Sequence, residues 1–226
     1  MFFRDIVGHS ELKRRLTEMV DSGRIPHAQL YTGAEGVGKL ALALAVAQYI
    51  CCEHREGGEP CGRCPSCVQF AKLSHPDLHF VFPMATRDGV KVCSDMVDVF
   101  RNAVLENPYI THAEWMRDGS DNKTVQIYAA EGKEILRKLS FKPYQGQYKV
   151  MIVWLPGKMN VECANKVLKI LGEPSPDTVF MLGSDKPDDV LGTIYSRCQR
   201  IAVPPIDKQD MERALRERYS VADEDV

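Results

Sequence analysis

The sequence predicts an α/β fold of three layers, a parallel sheet covered on both faces by helices, with a four-cysteine knuckle inserted into it. Three observations carry this expectation. Short apolar runs alternate with stretches of helical periodicity, the pattern of parallel strands joined by crossover helices. A glycine-rich turn, Gly33 to Lys39, joins a strand to a helix. Four of the eight cysteines fall between Cys52 and Cys67. The 226 residues carry 29 Lys+Arg and 31 Asp+Glu, a formal net charge of -2, and 44% are hydrophobic. Such values exclude a wholly disordered or collagen-like chain. The length suffices for one large domain or two small ones.

The elements follow in order. Residues 10–22 read as a helix with Leu12, Leu16, Met19 and Val20 at helical spacing, Ser10 as its cap and Gly23 as its stop. His27 to Thr32 is a short buried strand running into the glycine-rich turn. Leu40 to Cys51 is Ala-rich and apolar almost all round, which suits a helix packed inside an α/β layer. Residues 52–67 form the knuckle, Val68 to Leu73 a short helix, and Leu78 to Phe82 a second strand. Residues 84–122 read as an insertion with helices at Ser94–Leu105 and His112–Met116 and turn-rich flanks. Its apolar residues, Met96, Val97, Val99, Phe100, Trp115 and Met116, favour packing on the body over meeting a partner. Ala129–Leu139 is a helix, Val150–Leu155 a continuous apolar strand, Asn160–Leu171 a helix, and Thr178–Gly183 a strand. Ile194 to Val203 leads through a turn into a last strand, and Asp207–Arg218 is a charged helix after Pro204-Pro205.

No apolar run approaches the roughly 20 residues of a membrane helix. The opening Met1-Phe2-Phe3-Arg4-Asp5-Ile6 lacks the organisation of a signal peptide. A cytoplasmic protein without a membrane partner is expected. The near-neutral charge gives no global drive toward nucleic acid.

Gly33-Ala34-Glu35-Gly36-Val37-Gly38-Lys39-Leu40 has the spacing and the strand-to-helix context of a Walker A phosphate loop. In such a loop Gly33, Gly36 and Gly38 let backbone amides close around phosphate oxygens, and Lys39 reaches the outer phosphates. The next position should be Ser or Thr to hold Mg²⁺, and here it is Leu40. A neighbouring strand should end in an acid, and Val150 to Val153 is followed by Trp154-Leu155-Pro156. Both metal-handling parts are missing, so neither ATP hydrolysis nor ATP binding is expected, and the loop is expected to be empty or to hold an anion only, on Lys39.

Cys52-x8-Cys61-x2-Cys64-x2-Cys67 offers four soft ligands, the donor set of a closed structural Zn²⁺ site. Cytosolic reduction disfavours disulfides, the rival reading. Cys51 competes with Cys52, but neighbouring residues at a helix end point in different directions, and Cys52 is preferred; His54 is a weaker substitute. Cys93, Cys163 and Cys198 read as ordinary small buried residues. Four thiolates and one Zn²⁺ would take the net charge from -2 to -4. Around the knuckle, Glu53, Glu56 and Glu59 cancel Arg55, Arg63 and Lys72, which weakens a zinc-dependent nucleic-acid module.

Several segments together resemble bacterial clamp-loader subunits of the AAA+ family: Phe3 to His9, Arg24 to Ala28, the four-cysteine spacing, Ser74-His75-Pro76-Asp77, Asn165 to Pro174, and Ser196-Arg197-Cys198. The resemblance covers nearly the whole chain apart from the insertion. It implies a P-loop NTPase-type domain over residues 1–205 and the start of a helical lid at 206–226, with the remaining domains beyond. Clamp loaders are five-membered rings that open a sliding clamp and place it on primed DNA. The resemblance therefore implies gamma/tau and delta subunits as neighbours. It also implies that Arg197, beside Ser196, is an arginine finger acting in trans on a neighbour's ATP. Ser184 falls near the family's sensor position. The broken metal site fits a catalytically silent stator; the alternative is an active P-loop ATPase subunit of the gamma/tau type, resting on Gly33 to Lys39.

Overall fold

A computed structural model describes residues 1–86, 89–117 and 125–219. In chain order its elements are α1 (Ser10–Asp21), β1 (Ala28–Thr32), α2 (Lys39–Cys51), α3 (Pro65–Phe70), β2 (Leu78–Val81), β3 (Met84–Ala85), α4 (Val97–Glu106) and α5 (His112–Met116). There follow β4 (Val125–Gln126), α6 (Ala129–Leu139), β5 (Lys149–Trp154), α7 (Val161–Gly172), β6 (Thr178–Ser184), α8 (Gly192–Tyr195), β7 (Gln199–Ala202) and α9 (Lys208–Tyr219).

Five strands form one sheet in the order β2-β5-β6-β1-β7, and every pairing is parallel. All six residues of β5 are buried. Side chains alternate between the faces of a strand, so full burial means that both faces are covered. The register sets Leu30 beside Leu182 and Ile152 beside Met181. Helix α2, KLALALAVAQYIC, is buried along all thirteen residues. Its run of Ala and Leu has no polar face, which is what a helix wedged between a sheet and other helices requires. The expected three-layer α/β architecture is therefore present.

Residues 84–117, as far as they are described, pack on the body through an aromatic cluster. The Phe100 ring stacks on Phe82 at 4.1 Å and meets Phe80, Trp115 and Trp154 at 5.5, 5.3 and 5.7 Å. The Trp115 indole donates to the Pro83 carbonyl at 2.7 Å. Residues 87–88 and 118–122 of the expected insertion lie outside the described residues. The approach to β5 is organised by Asp77, whose buried carboxylate accepts the amides of Tyr144, Gln145 and Gly146 at 2.6, 2.8 and 3.1 Å.

Some local expectations need correction. Ser10 is the first residue of α1; His9 takes the cap position, in the left-handed region at φ 60° and without a side-chain cap. Helix α3 begins at Pro65, not Val68, because the Cys64 sulfur accepts the Cys67 amide and Pro65 suits a first turn. The helix expected from Ser94 is a 3-10 turn, Cys93–Met96, followed by α4. The turn before the last strand contains the short helix α8. The two-residue antiparallel pair of β3 with β4 was not expected.

Candidate functional site

The phosphate loop leaves β1 and enters α2, as its sequence requires. Gly36 and Gly38 have φ of 78° and 90°, a backbone that glycine adopts at little cost. Lys39 is buried, and its ammonium is turned back into the loop. It donates to the carbonyls of Gly33, at 2.9 Å, and of Ala34. It also pairs with the Asp185 carboxylate at 2.6 Å. Leu40 is buried and offers no oxygen to a metal. At the end of β5, Trp154 and Leu155 are buried where an acid would stand, with Leu155 at φ 58°. Ser184 ends β6 and donates its hydroxyl to the Lys186 carbonyl at 2.9 Å. Gly33, Gly36, Gly38 and Lys39 thus come together as expected, with Asp185 as an added member. No signal in the sequence pointed to Asp185 beyond its place after a strand.

The knuckle brings together the four expected cysteines. The sulfurs of Cys52, Cys61, Cys64 and Cys67 all lie within 4.8 Å of one another. Tetrahedral Zn²⁺ with bonds of about 2.3 Å sets its sulfurs roughly 3.8 Å apart, so the donor set and spacing fit that ion. Amides stabilise the sulfurs: Cys61 N donates to Cys52 Sγ at 3.2 Å, Cys64 N to Cys61 Sγ at 3.4 Å, and Cys67 N to Cys64 Sγ at 3.4 Å. The amides of Arg63 and Cys64 pull the Cys61 thiol down to about 6. Cys51 faces elsewhere, toward the Tyr148 carbonyl, and burial pushes its thiol up to about 12. Burial likewise raises Cys163 to about 12 and Cys198 to about 11, and it raises Cys93 strongly. These are inert buried thiols. The knuckle also holds the start of the chain: the Glu59 carboxylate accepts the amides of Phe3 and Arg4 at 3.0 and 2.7 Å.

Ser196 and Arg197 follow α8 and are exposed, while Cys198 is buried and anchors the turn. The Thr193 carbonyl accepts from Ser196 Oγ at 3.1 Å and from Arg197 Nη1 at 3.0 Å. Among the described residues no carboxylate pairs with Arg197, so its charge is available at the surface.

A parallel sheet in this order, with a phosphate loop between β1 and α2, defines a P-loop NTPase-type domain, and the chain resembles the DNA polymerase III proteins in it. The family model described as "DNA polymerase III, delta subunit" matches residues 8–207, and the chain belongs to that family. It is 29% identical over 214 residues to DNA polymerase III subunit delta' of Bacillus subtilis, covering 92% of this chain and 53% of that protein. It is 32% identical over 184 residues to subunit delta' of Pseudomonas aeruginosa, covering 80% and 45%. Subunit tau of Bacillus subtilis matches at 27% over 207 residues, 92% of this chain and 30% of that one. The chain spans about half the length of the delta' relatives. Among solved structures, a DNA polymerase III gamma subunit-related protein of Thermotoga maritima shares the fold, with a TM-score of 0.54 at 15% identity over 91% of this chain and 49% of that one. No described helix is long and apolar enough to cross a membrane.

Proposed function

We propose that the chain is the AAA+ part of a delta-prime-like clamp-loader subunit of DNA polymerase III in a bacterial cytoplasm. It is a catalytically silent scaffold that lends Arg197 to the ATPase site of a neighbouring subunit. One observation carries the reading: Ser196-Arg197-Cys198 is whole and presents an exposed guanidinium held by the Thr193 carbonyl and, among the described residues, paired with no carboxylate, while the chain's own phosphate-loop lysine is spent on Gly33, Ala34 and Asp185. In phosphoryl transfer an arginine from a neighbour offsets charge on the transferring group. Ser196 shares the Thr193 carbonyl with Arg197 and shapes the turn that presents it.

The partners are gamma/tau and delta subunits in a five-membered ring, and through it the sliding clamp and primed DNA. Residues 1–205 are assigned to the nucleotide-binding-type domain and 206–226 to the start of the helical lid, of which 220–226 lie outside the described residues. Cys52, Cys61, Cys64 and Cys67 hold a structural Zn²⁺, which supplies cross-linking and no catalysis, because four thiolates leave no open position. The gamma/tau-like alternative, an active ATPase, is opposed by Leu40, Trp154 and Leu155, none of which can hold Mg²⁺ or orient water. Co-purification with gamma/tau and delta subunits tests the assignment. A stable complex in which this chain occurs once per ring is expected; failure of the full-length protein to assemble would overturn it.

A further inference from the structure

The loop between α4 and α5 lies across the mouth of the phosphate loop. The Tyr109 ring rests on Gly38, where an added Cβ would come within 2.9 Å of Tyr109 Cε1. The Tyr109 hydroxyl accepts the Val7 amide at 2.8 Å, so the ring is fixed at its far end too. Asn107 Oδ1 accepts the Tyr109 amide at 3.0 Å and shapes the bend. On the other flank the His112 amide donates to a Glu35 carboxylate oxygen at 3.0 Å, tying α5 to the loop itself. Between these contacts and Lys39 there remains a cavity of about 20 Å³, lined in part by Gly36, Gly38, Pro108, Tyr109 and Ile110. The pocket is half open to solvent, and its sheltered part has room for about one water.

We propose that residues 107–112 are a built-in occupant of the phosphate loop, holding it closed against phosphate-bearing ligands and fixing it in one state. The proposal rests on the silent-site reading and deepens it. Missing metal ligands remove hydrolysis; an occupied mouth removes binding of even a metal-free phosphate ligand. Val7, Gly38 and Tyr109 belong to three distant stretches of chain, so the occupant also staples the N-terminal segment to α2. The face around the loop keeps the same shape whether nucleotide is present or not, which suits a fixed member of an assembly whose neighbours change state.

The test is calorimetry of the 226-residue chain with metal-free inorganic pyrophosphate, combined with amide hydrogen exchange of residues 34–40. Wild type and Tyr109→Phe are expected to bind nothing up to millimolar pyrophosphate. Folded Tyr109→Ala should bind it and should exchange these amides at least about tenfold faster than wild type. Pyrophosphate binding by wild type as tight as by Tyr109→Ala would overturn the proposal. So would a folded Tyr109→Ala that neither binds nor exchanges faster. If Tyr109→Ala does not fold, Glu35→Ala, which frees the His112 flank, decides by the same exchange measurement: faster exchange supports the occupant and unchanged exchange overturns it. ATP hydrolysis by wild type would sink the silent-site reading instead, so the two failures are separable.

Discussion

The Lys39 ammonium sits 2.6 Å from an Asp185 carboxylate oxygen, across the gap between the phosphate loop and the end of β6. In a working nucleotide site this lysine would face phosphate. Here a carboxylate supplied by the chain takes the phosphate's part, and the Gly33 and Ala34 carbonyls complete the ammonium's partners.

The pair has a measurable signature. Removing Asp185, whose side chain is 22% exposed, leaves the buried Lys39 charge with carbonyl partners only, a cost below that of a fully buried pair, at about 2 kcal/mol. Asp185→Ala should therefore lower stability in urea by roughly that amount, while Lys39→Met with Asp185→Ala should recover much of it. Simple additivity of Lys39→Met and Asp185→Ala would show that the contact carries no energy.

The knuckle predicts a metal count and a cysteine selectivity. Metal analysis should find about one zinc per chain. Cys52→Ser, Cys61→Ser, Cys64→Ser and Cys67→Ser should each lose or weaken it, and Cys51→Ser should keep it, because Cys51 faces Tyr148. Chelation should also loosen the amides of Phe3 and Arg4, which hang on Glu59, and faster exchange there after chelation checks the linkage. A fully folded protein that purifies without metal would contradict the site.

Acid sensitivity should trace in part to His79. Burial, helped by Lys138 and Lys149 and opposed by Asp77, holds its imidazole down at about 4. The unfolded chain then binds the extra proton between about pH 6.5 and 4. The stability tied to neutral His79 is complete above pH 6.5 and is lost as pH falls toward 4. His79→Gln should give a Tm that falls less than wild type between pH 7 and 5. Parallel curves would refute the assignment.

The strands, α2, the glycine loop and the cysteine cluster were legible because their signals are local: apolar runs, glycines at fixed spacing and thiols two residues apart. The choice of Cys52 over Cys51 was legible too, from the way side chains diverge at a helix end. What escaped depends on distant chain. His9 caps α1 in a left-handed conformation that its residue type does not announce. Asp185 acquires meaning only when β6 lies beside β1. Tyr109 lies in a stretch that reads as a packed insertion, and only the fold carries it to Gly38. Leu40 and Trp154 could be read in the sequence as residues unable to ligate a metal; the approach of Tyr109 to Gly38 could not.

We propose that Arg197 serves a neighbour's ATP, and that proposal can be measured on the assembled complex. The direct test is ATP turnover of the complex assembled with gamma/tau and delta subunits, comparing wild type with Arg197→Ala. An arginine finger is worth about 10³-fold or more at the site it serves. Arg197→Ala is expected to assemble normally and to lose the turnover of the one neighbouring site, while the isolated chain hydrolyses no ATP with either residue. Undiminished turnover in a fully assembled Arg197→Ala complex would contradict it.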